Sequence, residues 1–259
     1  MYHLYSSAFI QQRDKLKPQA WEHLFYAFSS EFPLNTTKNG YHLFAVDGSE
    51  VRIPLEGMEE YGYFHRENQS DYYQIHLSAI YNLLNNPYMA SYLEPRKGHN
   101  ERDAFHQLFD THDFPSHSLF IFDRGYEGYP LMAHISSKHQ YFLIRAKDST
   151  PGDILKGIDL PEEPEFDFDF DKICVNKIRA EHKNNLHQYH RVHATYTPYF
   201  LNRSVKEYSL SFRIVRVRLD NNSYECLLTN LPREEYDMVA LKQLYYMRWQ
   251  IIPISVLFA

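Results

Sequence analysis

The 259-residue sequence predicts a mixed α/β fold, in which helices lie on both faces of a sheet and a β-rich insertion precedes the last helix. Three observations predict this fold. Short apolar runs bounded by turn residues are typical of buried strands, and they occur at 41–46, 118–122 and 141–147. Apolar residues recur at helical spacing between these runs, at 100–109 and 129–137. A long stretch with strand-like patterns then precedes a final helix.

The remaining segments show the same two periodicities. An amphipathic helix is predicted over residues 7–29, with a break at Pro18. Strands are predicted at 72–84 and 88–93 around an Asn-Asn-Pro turn, and a short strand at 51–53 follows an Asp-Gly-Ser turn. The β-rich stretch covers 172–229, and the final helix covers 234–250.

The composition is ordinary for a globular protein, with 44% hydrophobic and 23% charged residues. Cys174 and Cys226 are too few for a disulfide framework or a zinc site, so we expect reduced thiols in the cytoplasm. The first residues lack the apolar core of a signal peptide. The longest apolar run, at 251–259, is too short to span a bilayer. The sequence therefore predicts a soluble cytoplasmic protein without a membrane partner.

Charge is distributed unevenly along the chain. The net charge of −6 argues against nucleic acid as a partner. However, an acidic tract at 153–171, predicted to be a loop, is followed by a basic segment at 172–218. The bases of this segment are Lys172, Lys177, Arg179, Lys183, Arg191, Arg203, Lys206, Arg213, Arg216 and Arg218. Two interpretations stay open: the segment is a solvated surface, or its bases share one face and follow a phosphate backbone.

Two aspartates, Asp47 and Asp123, each lie at the end of a predicted buried strand and are followed by a turn that contains a glycine. Strand ends in α/β sheets are common ligand sites, and a pair of carboxylates there can hold Mg²⁺ or Mn²⁺ for phosphodiester chemistry. The alternative is that each aspartate only caps a turn. We expect the two to lie side by side on adjacent strands. Motifs of serine hydrolases, zinc proteases, P-loop enzymes and dinucleotide-binding enzymes are missing from the sequence.

Four stretches of the chain resemble the DDE transposases of insertion sequence family 4. SAFIQQRDKLKP (7–18) is similar to the family's lead-in segment, and FAVDGSEVRIP (44–54) is similar to the region of its first aspartate. LFIFDRGYEGYPLMAHISSKHQYFLIRAK (119–147) resembles the region of the second aspartate over nearly its whole length. LKQLYYMRWQI (241–251) is similar to the start of the Tyr–Arg–Glu–Lys signature helix.

This resemblance implies a ribonuclease-H-like fold and cut-and-paste DNA transposition by strand cleavage and joining. Asp47 and Asp123 would be the catalytic metal ligands for two Mg²⁺ or Mn²⁺ ions, and Tyr245 and Arg248 would hold the phosphates of the transposon end. Further candidates for DNA contacts are Arg124, Arg213, Arg216 and Arg218. The implied partners are double-stranded DNA and a second copy of the chain in a synaptic complex. The implied location is the bacterial cytoplasm, on the nucleoid when the protein is bound to DNA.

The resemblance also divides the chain into four parts. We expect a helical lead-in at 1–40, a ribonuclease-H-like catalytic core at 41–150, the β-rich insertion at 151–230 and a truncated catalytic helix at 231–259.

The chain departs from the family in the signature helix. Counted from Tyr245 and Arg248, the signature Glu falls on Ile252 and the Lys on Ala259, and Pro253 should end the helix. We therefore expect a truncated transposase that does not cut DNA.

Three alternatives stay open. One is a DNA-binding or oligomerising remnant that inhibits transposition, and another is a metal-dependent nuclease of the same fold. In the third, Glu234 or Glu235 supplies the missing carboxylate.

Overall fold

The computed structural model describes residues 12, 15–53, 63–64, 72–95, 98–147, 154–185, 187–192 and 206–250. Within these residues ten strands form one sheet. The strands are β1 (His42–Ile53), β2 (Tyr63–Phe64), β3 (Tyr72–Asn82), β4 (Tyr88–Pro95), β5 (Ser118–Phe122), β6 (Tyr141–Ala146), β7 (Phe166–Val175), β8 (Tyr189–Arg191), β9 (Glu207–Arg218) and β10 (Tyr224–Thr229). The α-helices are α1 (Pro18–Ser30), α2 (Glu101–Thr111), α3 (Tyr129–Ser137) and α4 (Met238–Tyr246). Short 3₁₀ helices occupy Arg124–Tyr126, Ala180–Asn185 and Met247–Gln250.

The sheet is mixed, as the sequence predicts. Its strand order is β2-β3-β1-β5-β6-β10-β9-β7-β8, and β4 also pairs with β3. β1 runs antiparallel to β3 and parallel to β5, and β5 runs parallel to β6. Beyond β6, the strands β10, β9 and β7 continue the sheet in antiparallel pairs. The β-rich segment therefore extends the main sheet and does not form a sheet of its own.

Side chains that alternate along β5 divide the core into two layers. Phe120 and Phe122 pack in one hydrophobic cluster with residues of α2 and α3. Leu119 and Ile121 pack in a second cluster with residues of α4. We call these two sides of the sheet the α2/α3 face and the α4 face. Helices thus cover both faces.

Most predicted elements are found at their expected places. The predicted strands around the Asn-Asn-Pro turn are β3 and β4, and the runs at 118–122 and 141–147 are β5 and β6. The helices predicted at 100–109 and 129–137 are α2 and α3. The predicted helix at 7–29 falls partly outside the described residues, and α1 begins at Pro18. No helix among the described residues combines the length and the apolar character needed to cross a bilayer.

The turn predicted at Asp47-Gly48-Ser49 is wrong, because β1 continues through these residues to Ile53. The backbone of β3 supplies the reason: Asp47 lies opposite Ala79, and the antiparallel pairing continues without interruption from Phe44 to Ile53. A local turn signal is overridden here by pairing with a strand more than twenty residues away. Asp47 therefore lies inside β1.

The acidic tract is not a loop throughout, because β7 begins at Phe166 inside it. Phenylalanine and aspartate alternate from Phe166 to Asp171, which is the period of a strand with one buried face. The phenylalanines pack on the α2/α3 face. Alternation was thus the better guide to this segment than its net charge.

The last helix is shorter than predicted, because α4 begins at Met238 instead of Glu234. The side chain of Asp237 accepts a hydrogen bond from the backbone N–H of Ala240 (2.8 Å) and caps the first turn. After Tyr246 the chain tightens into the 3₁₀ helix Met247–Gln250. This turn determines where Arg248 points.

Candidate active site

Asp47 and Asp123 lie at the same level of two adjacent strands. The parallel pairing of β1 with β5 ends at Val46 and Phe122, and each aspartate is the next residue of its strand. β5 ends there, whereas β1 continues because it is also paired with β3. The side chains are 37% and 38% exposed. The prediction that the two aspartates lie side by side on adjacent strands is confirmed.

The guanidinium of Arg248 lies between the two carboxylates. Its Nη2 is 3.2 Å from Asp123 Oδ2, and its Nη1 is 3.9 Å from Asp47 Oδ1. The Arg248 side chain is 5% exposed, so a buried positive charge balances two partly buried negative charges. Burial raises the pKa of Asp47, and the Arg248 guanidinium opposes that rise. The two carboxylates offer the oxygen ligands that hard divalent ions prefer, so their donor set fits Mg²⁺ or Mn²⁺.

Tyr245 reaches the same carboxylate pair from the end of α4. Its hydroxyl donates a hydrogen bond to Asp123 Oδ1 (3.2 Å), and its burial raises the pKa of the phenol. Tyr245 and Arg248 are both buried, with 1% and 4% of their surface exposed. The structure places both side chains against the aspartates. That they hold the phosphates of a transposon end stays a prediction.

Arg145 and Glu225 extend the row of charges across the α4 face. Arg145 follows the last β5–β6 pair, next to Asp123, with its Nη1 4.0 Å from Asp123 Oδ1. Its Nε lies 2.6 Å from Glu225 Oε1 on β10. Burial raises the pKa of Glu225, and Arg145 opposes that rise. Sequence analysis missed this pair, although an arginine inside the apolar run of β6 was a signal of a paired, buried charge.

Glu101 approaches the aspartates from the α2/α3 side. A methyl group at Gly48 would lie 2.8 Å from Glu101 Oε1, and one at Gly125 would lie 3.1 Å from Glu101 Oε2. The Glu101 carboxylate therefore lies between the residue after Asp47 and the second residue after Asp123. Burial raises the pKa of Glu101; nearby His99 opposes this rise, whereas the charges of Asp47 and Asp123 add to it.

Two histidines lie beside Glu101. His76 Nε2 is 3.8 Å from Glu101 Oε1, and the rings of His76 and His99 have their centroids 4.2 Å apart. One ligand atom from each of the three side chains lies within 4.8 Å of the others. Sequence analysis did not single out Glu101 or these histidines. An acid in the first turn of a helix has an ordinary explanation in the helix dipole, so it carried no signal of a site.

Comparison with known proteins decides the family. The family model described as the transposase DDE domain matches residues 38–251. The chain belongs to the transposase DDE-domain family. No curated protein sequence gives a significant match.

One solved structure similar to this DDE domain is the piggyBac transposase, seen by cryo-EM in a synaptic complex with hairpin DNA. The identity is 8% and the TM-score is 0.43. The match covers 80% of this chain and 38% of that transposase chain. The chain therefore spans well under half the length of that transposase.

The basic residues of the DDE domain do not share one face. On β9, Val215 and Val217 belong to the cluster of the α4 face, and Ile214 belongs to that of the α2/α3 face. By the same alternation Arg213 points to the α4 face, whereas Arg216 and Arg218 point to the α2/α3 face. The expectation of a single basic face is wrong for these three residues. Among the other bases of the segment, Arg203 lies outside the described residues.

Arg213, a predicted DNA contact, has its side chain buried in the DDE domain. It is 4% exposed, and its guanidinium pairs with Asp167 and donates to the carbonyl oxygens of Leu231 and Tyr236 (3.0 Å each). Arg216 is half-buried over the ring of Tyr224, at 4.6 Å. Arg218 and Arg124 are exposed, so a phosphate could reach them.

A third carboxylate from Glu235 is also ruled out. Glu235 Oε2 accepts a hydrogen bond from the hydroxyl of Tyr41 (2.8 Å), the residue before β1. Six residues of extended strand separate Tyr41 from Asp47, which corresponds to about 20 Å. Ile252, Pro253 and Ala259 lie outside the described residues.

Proposed function

We propose that this DDE domain binds the double-stranded ends of a mobile DNA element, as a member of the transposases of insertion sequence family 4. One observation carries the proposal: Asp47 and Asp123 follow two paired parallel strands, and the guanidinium of Arg248 lies between their carboxylates. The strand order β4-β3-β1-β5-β6, with helices on both faces, supports a ribonuclease-H-like core.

Asp47 and Asp123 are the proposed ligands of Mg²⁺ or Mn²⁺, since carboxylate oxygens are the donors these ions prefer. When bound, such ions activate a water and stabilise the leaving oxygen of a phosphodiester. Arg248 balances the charge of the two carboxylates, and Tyr245 orients Asp123 through its hydroxyl. Arg124 is exposed directly after Asp123, where its guanidinium can contact a DNA phosphate.

The residue at position 252 decides whether the domain has a third carboxylate for strand cleavage. The family resemblance assigns the third carboxylate to this position, which is isoleucine. A hydrocarbon side chain gives a metal ion no oxygen ligand, and even indirect changes around metal sites cost roughly 10- to 100-fold in affinity or activity. We infer that the domain keeps DNA binding and has lost strand cleavage.

A cleavage assay tests this inference. We expect the purified chain to leave a labelled DNA duplex intact in the presence of Mg²⁺ or Mn²⁺. Asp123→Ala is the control, since it removes a ligand from the site. Metal-dependent cutting that disappears in Asp123→Ala would contradict the inference. In that case Glu101 or Glu225, which lie near the aspartates, would be the first candidates for the third carboxylate.

DNA binding is tested separately through Arg124. Arg124→Ala should weaken binding to duplexes of different sequence by a similar factor and reduce the slope of log affinity against log salt by about 1. The matched control is Arg179→Ala, because the Arg179 side chain is 38% exposed and follows β7, which three strands separate from β5. Equal effects of the two substitutions, measured by fluorescence anisotropy, would remove Arg124 from the DNA interface.

A further inference from the structure

We propose that His76, His99 and Glu101 form a binding site for a divalent transition-metal ion, separate from the aspartate pair. Two imidazoles and one carboxylate converge there, with one ligand atom from each side chain within 4.8 Å of the others. The proposal does not depend on the DNA chemistry of the domain.

Regular structure holds the three side chains in place. His76 lies within β3, opposite Glu50 of β1, and is 2% exposed. His99 and Glu101 flank Asn100, the N-cap of α2, whose side chain accepts a hydrogen bond from the backbone N–H of Arg102 (3.1 Å). The backbone N–H of Asn100 also donates to Glu94 Oε1 on β4 (3.2 Å). His99 and Glu101 are therefore anchored to the same sheet that carries His76.

His76 and Glu101 can approach each other over β1 because residue 48 is a glycine. A methyl group at Gly48 would lie 2.7 Å from His76 Nε2 and 2.8 Å from Glu101 Oε1, both closer than real contacts allow. These two potential ligand atoms thus meet directly over the backbone of the residue that follows Asp47. The arrangement concentrates donor atoms in a space that any larger residue would fill.

The donor set favours a borderline ion over Mg²⁺. Imidazole nitrogen suits Zn²⁺ and related transition ions, whereas Mg²⁺ prefers oxygen ligands and keeps much of its water. The aspartate pair offers only oxygens. The two sites should therefore select different ions. A cavity lined by His99, Glu101, Arg102, His106 and Gly125 opens beside the cluster and gives an ion and its water ligands a route to it.

A second cluster within the described residues fits a metal less well. Glu181, His182 and Glu207 also bring three ligand atoms within 4.8 Å, but both acids are exposed. His182 stacks on Tyr189, with ring centroids 4.2 Å apart, and its Nδ1 accepts a hydrogen bond from the backbone N–H of Arg179. These contacts explain the position of His182 without a metal ion.

Cobalt titration of the purified chain tests the proposal, because the visible absorption of Co²⁺ reports its ligands. After treatment with a chelator, the chain should bind Co²⁺ in a form that Zn²⁺ displaces and excess Mg²⁺ does not. His99→Ala and Glu101→Gln should each weaken Co²⁺ binding at least ~10-fold, the scale that weaker changes around metal sites already reach. Glu101→Gln keeps the size of the side chain, and circular dichroism of the metal-free variants checks that they fold.

Two further variants serve as controls for the Co²⁺ titration. His23→Ala removes an exposed histidine of α1 and should leave Co²⁺ binding unchanged. Asp123→Asn should still bind Co²⁺, with a smaller change in affinity than His99→Ala, because Asp123 acts on Glu101 only through its charge; this result separates the site from the aspartate pair. Unchanged Co²⁺ affinity in folded His99→Ala and Glu101→Gln would overturn the proposal. Loss of Co²⁺ binding in Asp123→Asn together with normal binding in His99→Ala would overturn it as well, by assigning the ion to the aspartates.

Discussion

Replacing Arg213 with alanine should lower the free energy of unfolding by about 3–5 kcal/mol, the usual cost of breaking a buried ion pair by removing one partner. The Arg213 guanidinium is 5% exposed and donates to both carboxylate oxygens of Asp167, with Nε 3.0 Å from Oδ1. Its Nη1 also satisfies the carbonyl oxygens of Leu231 and Tyr236. The substitution removes this donor from both carbonyl oxygens, leaves Asp167 paired with Arg233 alone, and opens a cavity between β9 and the segment that leads into α4.

The matched control is Arg233→Ala. Arg233 pairs with the same carboxylate, with its Nε 3.0 Å from Asp167 Oδ2, but its side chain is 43% exposed. Exposed ion pairs contribute about 0–1 kcal/mol to stability. The urea midpoint of this variant should therefore lie close to that of the parent protein. Urea denaturation of both variants checks the difference. Similar midpoints for the two would mean that burial of Arg213 adds nothing to the pair.

The same carboxylate makes the effect dependent on pH. Burial alone would raise the pKa of Asp167, but hydrogen bonds from Arg213 and Arg233 hold it below its ordinary value. A lowered pKa in the folded state contributes stability above the unfolded value of about 3.9, and this contribution is lost as the pH falls through the folded value. The difference in unfolding free energy between the parent protein and Arg213→Ala should therefore become smaller as the pH falls below the unfolded value.

Arg248→Gln should raise the affinity of the domain for Mg²⁺ at least ~10-fold, which corresponds to about 1.4 kcal/mol. A metal ion at Asp47 and Asp123 must displace or outcompete a guanidinium that lies 3.2 Å and 3.9 Å from their oxygens. Charges at such separations interact by about 4 kcal/mol at an effective dielectric constant of about 20, and partial exposure of both aspartates reduces that figure. Removing the competing cation leaves the carboxylates free to bind the metal.

Isothermal titration with Mg²⁺ measures this effect, and Mg²⁺ is chosen because it should avoid the histidine cluster. Lys242→Gln is the control: Lys242 lies on α4 like Tyr245, but it pairs with the exposed Asp220. Its loss should leave Mg²⁺ affinity unchanged. A lower affinity in Arg248→Gln would contradict the competition and would mean that Arg248 holds the two carboxylates in their binding positions.

Much of the fold could be predicted because its strands carry local signals. The buried runs of β5 and β6 and the turn between β3 and β4 are visible in short windows of sequence. The path of β1 through Asp47 was not visible, because the pairing that straightens it comes from β3. The arginines of β9 show the same limit. Their charge is a local property, but alternation across a sheet decides that Arg213 is buried and Arg218 is exposed.

The same limit applies to the candidate site: some of its residues could be predicted from local sequence, and others could not. Asp47 and Asp123 could be found because each directly follows an apolar run. Glu101, His76 and Glu225 each have an ordinary explanation where they stand in the sequence, as a helix-terminal acid or as polar residues of a strand. Only the packing of α2 against the sheet, and the pairing of β3 with β1 and of β10 with β6, bring them near the aspartates.

The unequal lengths of β1 and β5 give the two aspartates different mechanical roles. Asp47 is clamped, because its strand runs on for six residues beyond it and stays paired with β3 along that whole length. Asp123 sits at the start of a short turn, where its Oδ1 accepts a hydrogen bond from the backbone N–H of Arg124 (2.8 Å). We therefore expect the backbone at Asp123 to shift more than the backbone at Asp47 when a cation binds. Asp47 would then keep its position, and Asp123 would move to meet the ion.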